Sequence, residues 1–370
     1  MNGVPQPIRV LVVDDSALVR QILCDVLRSD PAIEVVGSAG DAHIAREKIK
    51  KFNPDVLTLD IEMPKMDGLT FLSNLMRLHP MPVVMVSSLT ERGADITFDA
   101  LAMGAVDYLL KPRIDIAATL QDYGDELIAK IKIAARANVR ALDSRRVATL
   151  RTRPAAGLAA TGSAPAKPMR TTDRIIAIGA STGGTEAIKE VLCNMPPDSP
   201  GMLVTQHIPP AFSASFARRM NEVSPLTVCE AQDGQQVMAG HVYIAPGDYH
   251  LRLVRDGARY VCKVTQDAPI NRHRPSVDAL FTSVAQNAGA NAIGVLLTGM
   301  GRDGARGLKL MRQSGAPTMA QDEHTSVVWG MPGEAVSIGA TDDVLPIDAI
   351  AGRIVQLAAA TDVKQRDLAG

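Results

Sequence analysis

The stretch IIAIGASTGGTEAI, Ile175 to Ile188, passes from an apolar block through a cluster of small residues into a segment with helical spacing. It reads as strand, tight turn and helix, the unit from which α/β domains are assembled. Two chemistries use such a turn. A phosphate loop needs glycines so that backbone N–H groups can approach an anion, and a nucleophile elbow needs them to hold a serine on a sharp bend. A P-loop would carry Gly-Lys followed by Ser or Thr, and a dinucleotide site would carry GxGxxG with an acid about twenty residues on. Neither pattern is present, and the next apolar run, MLVTQ, leads into His207. The residues Gly179, Ala180, Ser181, Thr182 and Gly183 do match G-x-S-x-G; Ser181 acting only as a cap for the helix TEAIKEVLC is the competing reading.

Outward from this stretch the alternation continues. RIIAIG, MLVTQ, NAIGVLLTG and APTMAQ read as strands, interrupted near Leu226 to Gln266 by HVYIAP, YHLRLV and RYVCKV, whose PGD and RDG turn signals predict antiparallel hairpins. Upstream, a stretch from about Ala134 to Arg170, rich in Ala, Gly, Pro and Arg and holding the single acid Asp143, has the composition of a linker. Before it, RVLVV, EVVGSA, VLTLD, PVVMVS and VDYLL each precede a helical segment. Five β/α units of this kind predict a parallel sheet covered on both faces. The expected fold is α/β with two doubly wound parallel-sheet domains: residues 1–135, a linker at 136–172, a second domain at 173–358 with a small antiparallel insertion, and a tail at 359–370.

Composition narrows the function classes. With 46% apolar and 21% charged residues and a formal net charge of -1, the chain is of globular type and has no broad electrostatic attraction for nucleic acid. The N-terminus MNGVPQPIRV has no signal-peptide pattern and no segment is apolar for a membrane-spanning length, so a cytoplasmic location without membrane insertion is expected. The four cysteines are far apart and form no CxxC pair, which argues against a disulfide framework or a zinc knuckle.

In an open parallel sheet ligands bind beyond the carboxyl ends of the strands. In the first domain those ends carry Asp14 and Asp15, then Asp60, Ser87 and Lys111-Pro112. Three carboxylates with a hydroxyl and an ammonium suit a hard divalent cation and a phosphoryl group. VVDDS, LDIEMPKMDG, VSS and DYLLKP, in that order, make residues 8 to 135 resemble the receiver domain of two-component response regulators, a flavodoxin-like (βα)5 fold. The resemblance implies that Asp60 accepts a phosphoryl group from a histidine kinase, that Asp14 and Asp15 help Asp60 hold Mg2+, that Ser87 and Lys111 contact the acylphosphate, and that Tyr108 is a switch residue. It also implies a cis bond between Lys111 and Pro112.

A serine nucleophile needs a base, and the chain has seven histidines. His43 and His79 lie in the first domain on helical segments, His241 follows a turn, and His250 sits inside a strand-like run where an ordinary histidine is expected. His207, His273 and His324 remain. Asp303, in TGMGRDGA, is the acid candidate, although a helix N-terminal role would also explain it. The pattern alone leaves two triads open: Ser181, Asp303 and His324, or Ser181, His207 and Asp303.

IGASTGGTEAI, QHIPPAFSASFARRM, YIAPGDYHL, HRPSVDALF and LLTGMGRDGARG together resemble the catalytic domain of chemotaxis protein-glutamate methylesterases, a family that also carries a receiver in front. The resemblance favours His207 as base and Asp303 as its orienting acid, and associates the Met300 backbone with the oxyanion site; local geometry offers the Thr182 N–H as a second donor. It implies hydrolysis of glutamate methyl esters, and deamidation of glutamines, on the cytoplasmic helices of methyl-accepting chemoreceptors, with no cofactor in the catalytic domain. Control is expected from the receiver, which would cover the hydrolase site until Asp60 is phosphorylated. The rival outputs are a DNA-binding module, for which residues 173–358 offer no helix-turn-helix or basic stripe, and a receptor-binding scaffold without catalysis.

Overall fold

The computed structural model describes residues 6–88, 90–111, 117–137, 139 and 174–369. The chain divides into two compact units, Met1–Ala166 and Lys167–Gly370. Almost all of the expected linker, and Pro112 with its peptide bond, lie outside the described residues.

In the first unit, strands β1 (Ile8–Val13), β2 (Ile33–Ala39), β3 (Val56–Asp60), β4 (Val83–Ser87) and β5 (Asp107–Leu110) alternate with helices α1 (Ala17–Arg28), α2 (Ala42–Phe52), α3 (Gly68–Leu78), α4 (Glu91–Ala102) and α5 (Ala117–Ala134). The sheet order is β2-β1-β3-β4-β5 and every neighbouring pair is parallel. Every residue of β3 and β4 is buried, as continuous Val/Leu/Met runs require when helices cover both faces. Helices α1 to α4 start on Ser16, Asp41, Asp67 and Thr90, whose side chains each accept a backbone N–H three residues on. The strand order reverses between β1 and β3, so the crevice for a ligand opens where Asp14, Asp15 and Asp60 end their strands.

The second unit contains, in chain order, β6 (Ile175–Ala180), α6 (Gly184–Cys193), β7 (Gly201–Gln206), α7 (Pro210–Val223), β8 (Thr227–Glu230), β9 (His241–Ile244), β10 (His250–Asp256), β11 (Arg259–Thr265), α8 (Val277–Asn287), β12 (Ala292–Leu296), α9 (Ala305–Gln313), β13 (Thr318–Gln321), α10 (Met331–Ser337), β14 (Asp343–Leu345) and α11 (Ile347–Ala369). Seven of these strands form one parallel sheet in the order β14-β13-β12-β6-β7-β9-β8. Helix α11 runs through residue 359, where the sequence suggested a tail.

One expectation is corrected. HVYI was read as part of an antiparallel hairpin, but β9 pairs in parallel with both β7 and β8 in the main sheet. Its Val242, Tyr243 and Ile244 are buried in succession, the pattern of an interior parallel strand rather than of a half-exposed hairpin. The crossover from β8 to β9, residues 231–240, is built without a helix and is tied to the neighbouring hairpin through Val237 N–H to Tyr260 O at 2.8 Å and Cys262 N–H to Gln235 O at 2.8 Å. Only β10 and β11 form the antiparallel insertion. It packs onto α8: Leu251 and Leu253 join Leu280, Phe281 and Val284 in the core, and Leu253 N–H donates to Ser283 Oγ at 2.9 Å. The insertion thereby steadies the helix whose N-terminus meets the candidate site. No helix among the described residues is long and apolar enough to cross a membrane.

Candidate functional site

Ser181 follows β6, and the two strands that flank β6 are β7 and β12. His207 follows β7 directly, and Asp303 lies on the loop after β12. Neighbouring strand ends therefore bring the three together, whereas His324 follows β13, one strand further out. The bend at Ser181 is made by Gly183, at φ 75°, where an added Cβ would lie 2.6 Å from Val327 Cγ2. The Asp303 loop turns into α9 through Gly304 at φ 87°. These two helices start on left-handed glycines without a side-chain cap, unlike α1 to α4, because the turn serves the site and not the helix. Ser181 is not a cap.

The Ser181 backbone is held on both sides. Its N–H donates to Thr298 O at 3.0 Å, and its carbonyl accepts from Gly184 N–H at 2.7 Å and Gln206 Nε2 at 2.9 Å. Gln206 Nε2 also donates to His207 O at 3.1 Å, so one buried amide fixes the Ser181 and His207 segments together. Ser181 Oγ lies 3.1 Å from His207 Nδ1, and His207 Nε2 lies 2.8 Å from Asp303 Oδ2. A carboxylate only accepts, so the Nε2 proton belongs to this pair and Nδ1 is left to accept from the serine hydroxyl. The ring nitrogens thus exchange the duties they have in the chymotrypsin arrangement.

The Asp303 side chain is 1% exposed. Its Oδ2 also accepts from Val277 N–H at 2.7 Å, while Oδ1 accepts from Ser276 Oγ at 2.8 Å and Asn271 Nδ2 at 2.6 Å. Burial by itself raises this carboxyl, but the hydrogen bond and charge of His207, with the Asn271 amide and Val277 N–H, outweigh it and hold the group well below the usual carboxylate range. A helix N-terminus does serve Asp303, as the sequence allowed, but it is that of α8 and not of its own loop. Asn271, Ser276 and Gln206 were not singled out as site residues. Ser276 and Gln206 lie in or beside the quoted HRPSVD and QH motifs, and nothing local marks Asn271.

For the oxyanion, the Ser181 N–H is already engaged with Thr298 O. Thr182 follows it, its carbonyl accepting from Thr298 Oγ1 at 3.0 Å. Met300 follows Gly299, whose added Cβ would lie 2.8 Å from Ser181 Cβ and whose carbonyl accepts from Met331 N–H at 2.8 Å. Of the other histidines, His250 is fully buried and its burial lowers its pKa; Nδ1 accepts from Ser276 N–H at 3.2 Å and Nε2 faces Ala268 O at 3.1 Å, so of the packed and exposed roles open to an ordinary histidine it has the packed one. Arg274 pairs with Asp248, with Nε 2.9 Å and Nη2 2.5 Å from Oδ1, which is a structural tie.

In the receiver, the carboxylates of Asp14, Asp15 and Asp60 each offer an oxygen, all within 4.8 Å of one another. Lys111 Nζ is 2.9 Å from Asp60 Oδ2 and 3.5 Å from Asp14 Oδ2. Burial pushes the Asp60 carboxyl up to about 6, against the lowering effect of Lys111. Asp14 is also raised by burial, and its buried Oδ2 accepts no hydrogen bond. Two desolvated acids with an unused oxygen are what a hard cation fits. Ser87 Oγ accepts from Thr97 Oγ1 at 2.9 Å on α4, and Tyr108 is buried with Lys130 Nζ 5.4 Å from its ring centroid.

Comparison with known proteins gives one family match within each unit. Residues 10–121 match the response regulator receiver domain and residues 176–354 match CheB methylesterase. The chain is 57% identical over 353 residues to protein-glutamate methylesterase/protein-glutamine glutaminase 1 of Xanthomonas campestris pv. campestris, covering 95% of this chain and 98% of that protein. It is 54% identical over 371 residues to protein-glutamate methylesterase/protein-glutamine glutaminase of Hydrogenovibrio crunogenus, with 95% and 98% coverage. Among solved structures, the Thermotoga maritima CheB methylesterase catalytic domain is 39% identical at a TM-score of 0.49, over 50% of this chain and 98% of that one. With a receiver and a methylesterase module in one chain, and more than half of its residues shared with relatives along nearly their whole length, this protein belongs to the CheB methylesterase family.

Proposed function

We propose that the chain is a phosphorylation-regulated protein-glutamate methylesterase and protein-glutamine glutaminase, with residues 1–135 as receiver and residues 173–358 as hydrolase. The observation that supports the hydrolytic reading most directly is the continuous line from Ser181 Oγ through both His207 nitrogens to Asp303. Ser181 Oγ attacks the carbonyl carbon of a glutamate methyl ester while Nδ1 of His207 takes its proton; Asp303 holds the tautomer and faces the imidazolium. The oxyanion lies toward the Thr182 and Met300 N–H groups. Nδ1 returns the proton to the leaving methoxide, methanol departs, and water activated by the same nitrogen cleaves the acyl-serine. With a glutamine amide, ammonia leaves instead.

The substrates on this reading are cytoplasmic helices of methyl-accepting chemoreceptors, which places the enzyme in the cytoplasm. The decisive experiment incubates purified protein with a methylated receptor fragment and measures methanol. Release of methanol is expected; receptor binding without it would make the chain a scaffold.

Asp60 is the phosphoryl acceptor in this scheme, with Asp14, Asp15 and Asp60 holding Mg2+ and Lys111 and Ser87 meeting the phosphoryl oxygens. The metal supplies charge neutralisation between carboxylates and phosphoryl group. For Ser87 to donate to a phosphoryl oxygen, its hydroxyl must turn away from the carbonyls of Ser88 and of Gly93 on α4, each 3.3 Å away, which couples phosphorylation to that helix. Chelation with EDTA should therefore abolish labelling of the protein by a phosphorylated histidine kinase and leave the unstimulated esterase rate unchanged; labelling that survives would remove the metal from the scheme. Deleting residues 1–140 should raise the unstimulated rate of methanol release, and an equal or lower rate from a folded fragment would count against inhibition by the receiver.

A further inference from the structure

The turn from Ile270 to His273 delivers one side chain to the acid Asp303 and one to the base His207. Ile270 and His273 exchange both backbone hydrogen bonds, at 3.1 Å and 2.9 Å, and the residues between them, Asn271 and Arg272, stand at φ 53° and 67°. Two left-handed residues in succession make a type I′ turn, which asparagine tolerates and arginine does not favour. The turn is anchored from behind by Asp248, whose N–H donates to Arg274 O at 3.2 Å and whose carboxylate takes the Arg274 guanidinium. Its tightness gives the two outward side chains fixed directions. Asn271 Nδ2 bridges Asp303 Oδ1 and Asp278 Oδ2, at 2.6 Å and 2.7 Å. The His273 ring lies flat on the His207 ring, with centroids 3.7 Å apart and planes at 15°.

His207 is held through its two nitrogens, one bonded to Ser181 and one to Asp303. Two in-plane bonds fix a line through the ring but leave it able to rock about that line, and rocking degrades the angle at both ends. An aromatic face in contact with the ring closes that rotation.

We propose that His273 is a positioning residue for the base, keeping the His207 plane aligned with Ser181 and Asp303 through ring stacking; this rests on the hydrolase reading above. The contact that carries this role is the stacked face of the His273 ring. The test measures kcat and KM for methanol release by the full-length protein carrying His273→Ala or His273→Phe, with Ser181→Ala in parallel and thermal melting of each. His273→Ala should lower kcat by about 10- to 100-fold with little change in KM, the scale of a misaligned catalytic group. His273→Phe, which keeps a flat ring without a titrating nitrogen, should recover most of that loss. A wild-type kcat in His273→Ala, or a Phe variant that melts normally yet is as slow as Ala, overturns the proposal. If Ser181→Ala is itself fully active, the assignment of the Ser181–His207–Asp303 line as the hydrolytic site fails instead, and the two failures are told apart.

Discussion

Ser181→Ala should lower kcat for methanol release by about 10⁶-fold, the cost of losing the nucleophile from a serine triad, or about 8 kcal/mol of barrier. The loss should be confined to chemistry. What Ser181 contributes to the fold is carried by its backbone, through Thr298, Gly184 and Gln206, and these bonds survive the substitution. The hydroxyl itself meets His207 Nδ1. Melting temperature and receptor binding should therefore stay at wild-type values while methanol release disappears. A variant that keeps about a tenth of the rate would place the nucleophile elsewhere and reduce Ser181 to a turn residue.

Asp303→Asn should be nearly as severe, about 10⁴-fold in kcat, or roughly 5.5 kcal/mol. An amide cannot accept at both ends. Val277 N–H, Ser276 Oγ, Asn271 Nδ2 and His207 Nε2 all point hydrogens at this group, so an NH2 at either position faces at least one donor. If the amide turns its NH2 to His207, Nε2 must become the acceptor, the proton moves to Nδ1, and the base presents a donor to the serine. If it turns the other way, buried donors at the start of α8 lose their acceptor, at about 1–3 kcal/mol for each unsatisfied group. Activity and melting should thus fall together, in contrast to Ser181→Ala. Full activity in Asp303→Asn, with only a lowered melting temperature, would make Asp303 the acceptor of the α8 N-terminus and nothing more.

Much of the architecture was legible because parallel sheets advertise themselves. IIAIGA and VVMV are apolar throughout, since both faces of each strand are covered, and the polar residue that follows each run, Ser181 or Ser87, marks the sheet edge where ligands bind. HVYI misled because its neighbours carry hairpin turn signals. Four residues cannot declare whether a strand pairs in parallel or antiparallel, and that was settled by β7 lying beside it. Helix α11 overran the expected tail because propensity continues where motif resemblance stops.

By itself the sequence determined that a serine stands on a glycine bend after a strand, that acids end the receiver strands, and which motifs recur in a known family. These are local properties, written in small residues, apolar runs and spacing. Only the tertiary structure decided which histidine meets Ser181, because that depends on β7 and not β13 being the neighbour of β6. It also decided which ring nitrogen faces the serine, and that Asn271, Ser276 and the N-terminus of α8 hold the acid. No spacing encodes those contacts. They arise because partners 26 to 32 positions from Asp303 or His207 are carried to one sheet edge by separate strands and loops, and the distances there are set by packing.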